Sequence, residues 1–445
     1  MTADICDHFT GDTTGLTIPA HGDALHEGGA TWLTAAFRAF GSLGADNAVS
    51  SIVSLEPCPG GSTGAKFYLT VAYDRPDPGL HTRLFVKFSR DFADERRDNR
   101  GRWEMASEAK FAPLSRAPGF PIAVPTAYFA DYHATSGTGL IITESIAYGQ
   151  KGIEAHRRKC LDHVTLDAPL AHYRQVVTAL ARLAASHKSG RLASDIDKRF
   201  PFNPASGSAD PIRYSEAELQ TELEHCFAYA RDCPRLLPEA VRSPEFMAQL
   251  ARDAQLIRRH EATIQRFLQG DSRMIALCHW NAHIDNCWFW RANDRNGASG
   301  ELHCGLIDWG RVGQITFGAA LWGGLSAAHH EVWDKHLDEL LALFAQEYAA
   351  NGGPAITVDE LTFHLRLHLA AMGVARMLAF PETIRFRLPN CVDASGPHDP
   401  MFEPVEVDPA RNSMHIYAVF LKFWRKYDVG EAVRELLERM GPGDE

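Results

Sequence analysis

The chain has 445 residues, 45% hydrophobic and 23% charged, proportions that suit a soluble globular protein and argue against long disorder. A net charge of −11, spread along the chain, disfavours nucleic acid as the main partner, and no apolar run of about 18 residues is present to span a membrane. Nine cysteines without a disulfide-framework spacing, and an acidic start (MTADICDHFTGD) without a secretory signal pattern, point to a reduced cytoplasmic protein of two or three domains or one two-lobed enzyme.

Residues 28–40 (GGATWLTAAFRAF) predict a helix, with Trp32, Leu33, Ala36, Phe37 and Phe40 on one stripe. AVSSIVSLEPC, AKFYLTVAYD and TRLFVKFS follow, each short, β-branched or aromatic and bounded by Gly, Pro or Asp, and predict three antiparallel strands. RDFADERRDNRGR reads as a solvated loop or helix start, WEMASEAKFAPL as a helix, and PTAYFADYH and TGLIITESI as two more strands. Residues 1–146 are therefore expected to form an α+β lobe on a mostly antiparallel sheet.

Residues 147–445 are expected to form a mainly helical lobe. AHYRQVVTALARLAASH and EVWDKHLDELLALFAQEYAAN carry apolar residues at spacings of three and four. LTFHLRLHLAAMGVARML begins with strand-like alternation but is too long for a strand and is read as helix. SMHIYAVFLKFW and EAVRELLERM close the chain as helices. The exception is 274–310, where RMIALCHW, a loop, NCWFWRA, a Gly/Asn turn and LHCGLIDWG read as a short β-hairpin.

Three features along this frame carry chemistry. In PCPGGSTGAKF, Gly60, Gly61 and Gly64 would let backbone N–H groups approach a phosphate, although the stretch is not a P-loop and also suits a plain hairpin turn. Lys87 lies inside an apolar strand, and Glu108 follows on the next helix. A Lys–Glu pair clamping nucleotide phosphates explains that placement, as does a lysine snorkelling at a strand edge. Finally, LCHWNAHIDNCWFW gathers His279, Asn281, His283, Asp285 and Asn286 on a loop between hairpin strands, and Asp308 follows in GLIDWG. An Asn and an Asp from neighbouring strand ends make a hard-oxygen Mg²⁺ site; polar turn residues bonding their own backbone are the plainer account.

HWNAHIDN resembles the catalytic loop, H-G-D-x-H-x-x-N, of the aminoglycoside phosphotransferase and choline-kinase-like superfamily. GLIDWG is similar to its metal-binding segment, and Lys87, Glu108, IITESIA and VVTALARLAASH fall in the family's order. The resemblance implies an α+β, two-lobed, protein-kinase-like fold that uses ATP and Mg²⁺. It places Lys87 on the phosphates with Glu108 holding it, and Asn286 and Asp308 on the metal. It also sets the backbone of Glu144, Ser145 and Ile146 against the adenine, and has His279 bracing the loop. The acceptor would be a hydroxyl of a small molecule, with His329, His330, Trp322, Trp333 and His368 as candidates for its side of the C-terminal helices, or for plain packing.

The departures matter. Asn281 stands where the family has its catalytic Asp, and an amide oxygen can orient a hydroxyl but cannot take its proton. Trp280 replaces a Gly, and Ala320 lies near where a loop-holding Asp is expected. Asp285 is an alternative base if the loop is re-shaped. The competing readings are a nucleotide-binding pseudokinase that serves a protein partner, a nucleotidyl transferase on the same fold, and a metal clip built from Cys278, His279, His283, Cys287, His303 and Cys304.

Overall fold

The computed structural model describes residues 7–293 and 299–440, so the expected Gly/Asn turn after Asn293 lies largely outside the described residues. The chain forms two compact units. The first runs to Ala155 and adds Leu192–Phe200 and Gly305–Val312; the second holds His156–Arg191, Pro201–Cys304 and the chain from Gly313 onward. The class is α+β, with an antiparallel sheet in the first unit and mostly helices in the second.

The first unit opens with a small ladder, β1 (His8–Thr10) against β2 (Thr17–Pro19), followed by helix α1 (Gly22–Ala39). Its main sheet contains β3 (Val49–Pro57), β4 (Lys66–Tyr73), β5 (Arg83–Phe88), β6 (Ala127–His133) and β7 (Thr138–Glu144), in the antiparallel order β3-β4-β5-β7-β6. Helix α2 (Glu95–Ser115) lies between β5 and β6 in sequence. Asp94 caps it by accepting from the N–H groups of Arg96 and Arg97, with Glu95 and Asp98 in the first turn favoured by the helix dipole. The segment read as a solvated loop or helix start does hold the start of α2, and it is tied down: Arg90 pairs with Asp98 at 2.7 Å, and Arg97 with Asp91 at 3.2 Å.

Strand alternation divides the sheet between two cores. Leu84, Val86 and Phe88 face one way and pack with Leu25, Leu33 and Phe37 of α1. The other face packs Ile141 and Ala130 against Met105, Ala109 and Ala112 of α2. Lys87 falls between Val86 and Phe88, and therefore points to the α2 face with its cross-strand neighbours Lys66 and Ile141.

In the second unit, Pro169 starts the helix Pro169–Lys188, and Thr357 and Glu360 form a reciprocal capping box for Val358–Arg376. The latter helix is buried over most of its surface from Leu361 to Val374, with only Thr362 and Arg366 partly exposed on one stripe, which narrows the polar face that marks an ordinary helix and explains its ambiguous alternation in sequence. Helices Glu216–Asp232, Pro244–Arg259 and Glu261–Gly270 add to this unit.

The 274–310 region keeps the expected pairing of NCWFWRA with LHCGLIDWG, but its first strand finds a different partner. Strand β8 (Ile275–Cys278) does not pair with β9 (Cys287–Asn293). It pairs with β11 (Gly313–Thr316), while β9 pairs with β10 (Ser299–Leu306). The loop 279–286 thus joins two separate ladders. No described helix is long and apolar enough to cross a membrane.

Candidate functional site

The first unit brings Lys87, Glu108 and Asp308 together. Lys87 Nζ donates to Glu108 Oε2 at 2.7 Å and to Asp308 Oδ1 at 2.5 Å. The side chains of Lys87 and Glu108 are 9% and 11% exposed, and that of Asp308 is 46%. Burial works against the Lys87 charge, but Asp308 and Glu108 outweigh it and raise its pKa, so the ammonium is held charged. Asp308 sits at φ 60, a left-handed backbone that Asp tolerates better than most residues. Next to it, Trp309 stacks on Phe111 of α2 with ring centroids 4.0 Å apart, and its indole N–H donates to Leu306 O. That stack fastens the Asp308 segment to the helix bearing Glu108.

The glycine loop is anchored at its far end. Gly64 N–H donates to Arg97 O, and the Arg97 guanidinium donates to the carbonyls of Gly60 and Gly64. Gly64 has no substitute, because a Cβ there would meet Phe88 O at 1.9 Å on a backbone already at φ 53. The N–H groups of Gly60, Gly61, Ser62 and Thr63 have no partner among the described residues.

Lys66 is the residue that sequence reasoning missed. It stands directly opposite Lys87 in the β4–β5 register, and its Nζ donates to Thr63 O at 2.7 Å. Burial, then the Lys87 charge, push it down to about 8. Only the register could have revealed it.

The expected adenine-facing backbone is partly taken up by the fold. Glu144 N–H donates to Thr126 O and Ser145 N–H to Arg83 O, because β7 is still paired on both sides there. The Glu144 carboxylate pairs with His81 at 2.8 Å. Of the three expected residues, Ile146 alone keeps a backbone N–H without a partner among the described residues.

In the second unit, loop 279–286 is held by its own backbone. His279, 1% exposed, accepts the Asn281 N–H at Nδ1 (3.1 Å). Asn286 Nδ2 donates to Asn281 O at 2.8 Å, and its N–H to His283 O at 2.8 Å. Upstream, Leu277 N–H donates to His187 Nδ1 at the end of Pro169–Lys188. The Asn281 amide has no partner among the described residues. Asp285 lies 3.7 Å from Lys159, and His156 donates to its carbonyl, so that carboxylate is engaged by a cation of its own unit. Ala320 is fully buried on the helix Phe317–Leu325. One turn on, a Cβ on Gly323 would meet Trp280 O at 1.9 Å, so that helix lies directly on the loop backbone.

The acceptor-side candidates divide. Trp322 and Trp333 are buried against each other, His368 is buried beside Gly318, and all three are packing residues. His329 and His330 join a cluster that the sequence did not indicate. His163 stacks on His329 (4.7 Å) and meets His398, and His330 meets His415 (4.8 Å). Burial, then neighbouring histidines, depress His330 to about 2 and His163 to about 4. Burial depresses His415 to about 4, against the Ala328 carbonyl and Asp162. The six clip residues do not form a metal cluster. Among the described residues, the one group of three donors within reach of a single ion is Glu222, His225 and Glu382.

No family model matches the sequence, and no curated protein matches it. Solved structures with a similar fold are choline/ethanolamine kinases and aminoglycoside phosphotransferases. A choline/ethanolamine kinase family protein from Mesorhizobium loti is 13% identical, with a TM-score of 0.36 over 86% of this chain and 92% of its own. Choline kinase from Cryptosporidium parvum Iowa II is 11% identical, with a TM-score of 0.39 over 87% and 90%. Spectinomycin phosphotransferase, solved with ADP and spectinomycin, is 12% identical, with a TM-score of 0.39 over 87% and 94%.

Proposed function

We propose that the chain is an ATP- and Mg²⁺-dependent phosphotransferase acting on a hydroxyl of a small molecule, with an altered catalytic loop. The observation that carries this reading is the buried Lys87–Glu108 pair, joined by the half-exposed Asp308, beside a glycine loop whose N–H groups at 60–63 lack partners among the described residues. A lysine held charged by two carboxylates, with loop amides nearby, is a donor set for phosphate oxygens. In this reading Lys87 holds the phosphates, Glu108 keeps Lys87 in place and Ile146 N–H meets the base.

Each residue that the resemblance sets on the metal carries a hard-oxygen donor of its own. Asp308 offers a half-exposed carboxylate in the first unit, and in the second Asn286, whose Nδ2 is tied to Asn281 O, keeps Oδ1 without a donor among the described residues. Magnesium, when bound, neutralises phosphate charge. Asn281 orients the acceptor hydroxyl through its amide oxygen and does not take its proton. Phosphoryl transfer depends mostly on positioning and electrostatics, so this loop supports slow turnover.

A second reading, a nucleotide-binding pseudokinase with a signalling or scaffold role, is favoured by Asn281 itself and by the engagement of Asp285 with Lys159. Thermal unfolding with ATP, with and without Mg²⁺, tests what both readings share. A ligand that binds only the folded state adds about 2.7 kcal/mol at a hundredfold excess over its Kd. The expected result is a Mg²⁺-dependent rise in midpoint that Asp308→Ala abolishes. No rise with ATP, GTP or Mg²⁺ would remove phosphotransfer from consideration.

A further inference from the structure

We infer that Lys66 is a second phosphate-binding lysine, which acts with Lys87 and the loop N–H groups to select a ligand carrying two or more linked phosphates. The inference deepens the phosphate site proposed above, but does not depend on which nucleoside, if any, the ligand carries.

The argument begins with register. Lys66 and Lys87 are directly opposed on β4 and β5. Opposed residues on antiparallel strands have Cβ atoms about 5 Å apart and project from the same face. Two ammonium groups so placed repel each other, and a fold does not keep that arrangement without compensation. Lys87 has its compensation in Glu108 and Asp308. Lys66 has no carboxylate partner among the described residues; its one hydrogen bond is to the neutral carbonyl of Thr63. A half-buried cation with donors left over fits an anion that arrives from outside.

The loop lies directly against this ammonium. Gly61 sits at φ 77, a backbone that favours glycine, and its Cβ position lies 2.3 Å from Lys66 Nζ, so the end of the lysine packs on the turn itself. The same turn carries the N–H groups of residues 60–63. Amides and an ammonium therefore converge at one end of β4, with the second ammonium on the next strand. A single phosphate is satisfied by one cation and a nest of amides. Two cations on adjacent strands suit adjacent phosphates of a chain.

The test is calorimetric titration of the full-length protein with inorganic tripolyphosphate and with ATP–Mg²⁺, comparing wild type with Lys66→Met. Losing a charge-assisted hydrogen bond should weaken both ligands at least about tenfold. The ligand-free unfolding midpoint should not fall, because the substitution removes an uncompensated cation. A second readout uses the position of Lys66 near pH 8. An anion that draws Lys66 into its charged form takes up protons from buffer at that pH, and Lys66→Met should lose this uptake.

Wild-type affinity in Lys66→Met for both ligands overturns the assignment and leaves the nucleotide reading standing. Lys66-dependent binding of tripolyphosphate without binding of ATP overturns the nucleotide reading and leaves Lys66 assigned. Binding of neither ligand by wild type overturns both. Should Lys66→Met fail to fold, absence of proton uptake by wild type near pH 8 overturns the assignment on its own.

Discussion

Lys87→Met offers the sharpest test of the triad, because it separates the lysine's charge from its volume. In the intact site the Glu108 carboxyl is pushed up by burial, drawn back by Lys87, and pushed up again by Asp308. Methionine fills the space of the lysine stem and removes the charge that draws the carboxyl back. Glu108, with a side chain only 11% exposed, is then left as an uncompensated buried acid. Breaking a buried pair in this way costs about 3–5 kcal/mol. The sign follows from linkage. A carboxyl whose pKa is raised on folding binds its proton more tightly in the folded state, so its contribution is fully present below the unfolded value near 4.5 and is lost as pH rises through the folded value. Lys87→Met should therefore unfold close to wild type near pH 5 and well below it near pH 8. Adding Glu108→Gln should flatten that dependence and restore most of the loss. The assay is the first thermal or urea transition across that range, since a chain of two units need not unfold in one step. A single variant that tracks wild type at every pH, or a double variant no better than the single, refutes the account of the triad.

The remaining predictions concern the second unit. Asn281→Asp should raise ADP release in the presence of hydroxyl acceptors by about 10²–10⁴-fold, the worth of a general base, without changing ATP affinity; an unchanged rate would show that the loop does not limit turnover and would favour the pseudokinase reading. The histidine cluster should make the protein acid-labile: with His163 and His415 depressed to about 4 and His330 to about 2, stability is full above about pH 6.5 and is lost as pH falls towards the folded values. His415, 8% exposed and facing the Ala328 carbonyl, Asp162, His329, His330 and His163, alone contributes up to about 3 kcal/mol, so His415→Gln should make the fall of the thermal midpoint between about pH 6.5 and 4.5 shallower, with His163 and His330 accounting for the remainder, and a flat wild-type curve would refute the argument.

What the sequence disclosed, and what it concealed, follows from the range of the interactions involved. The five strands of the main sheet announce themselves by local alternation, and Lys87 draws notice because a charge inside an apolar strand needs a reason. The loop 279–286 draws notice by the density of its polar residues. Lys66 is silent for the opposite reason: it stands at the very start of a strand, where lysine is unremarkable, and its meaning appears only when β4 is set against β5. The histidine cluster is silent because its members come from positions as far apart as His163 and His415. The small ladder β1–β2 and strand β11 are only three and four residues long, too short to show a period. The pairing of β8 with β11 instead of β9 is likewise a long-range choice that no hairpin signal encodes.

The departures from the resembled motif gain a shared physical sense from the packing around the loop. Where an acid was expected to hold the loop from the following helix, that helix carries Ala320 and Gly323, and Gly323 lets its backbone lie against Trp280 O at a distance no side chain would permit. The loop is then fixed by close packing, by the His279 and Asn286 hydrogen bonds to Asn281, and by His187 beneath Leu277. Close packing and neutral hydrogen bonds do not screen with salt, as an ion pair does. Loss of the acid therefore does not require loss of the loop's geometry. The loop can stay ordered with Asn at 281, and its order by itself says nothing for or against turnover, which is why the chemistry has to be read from the Asn281→Asp comparison.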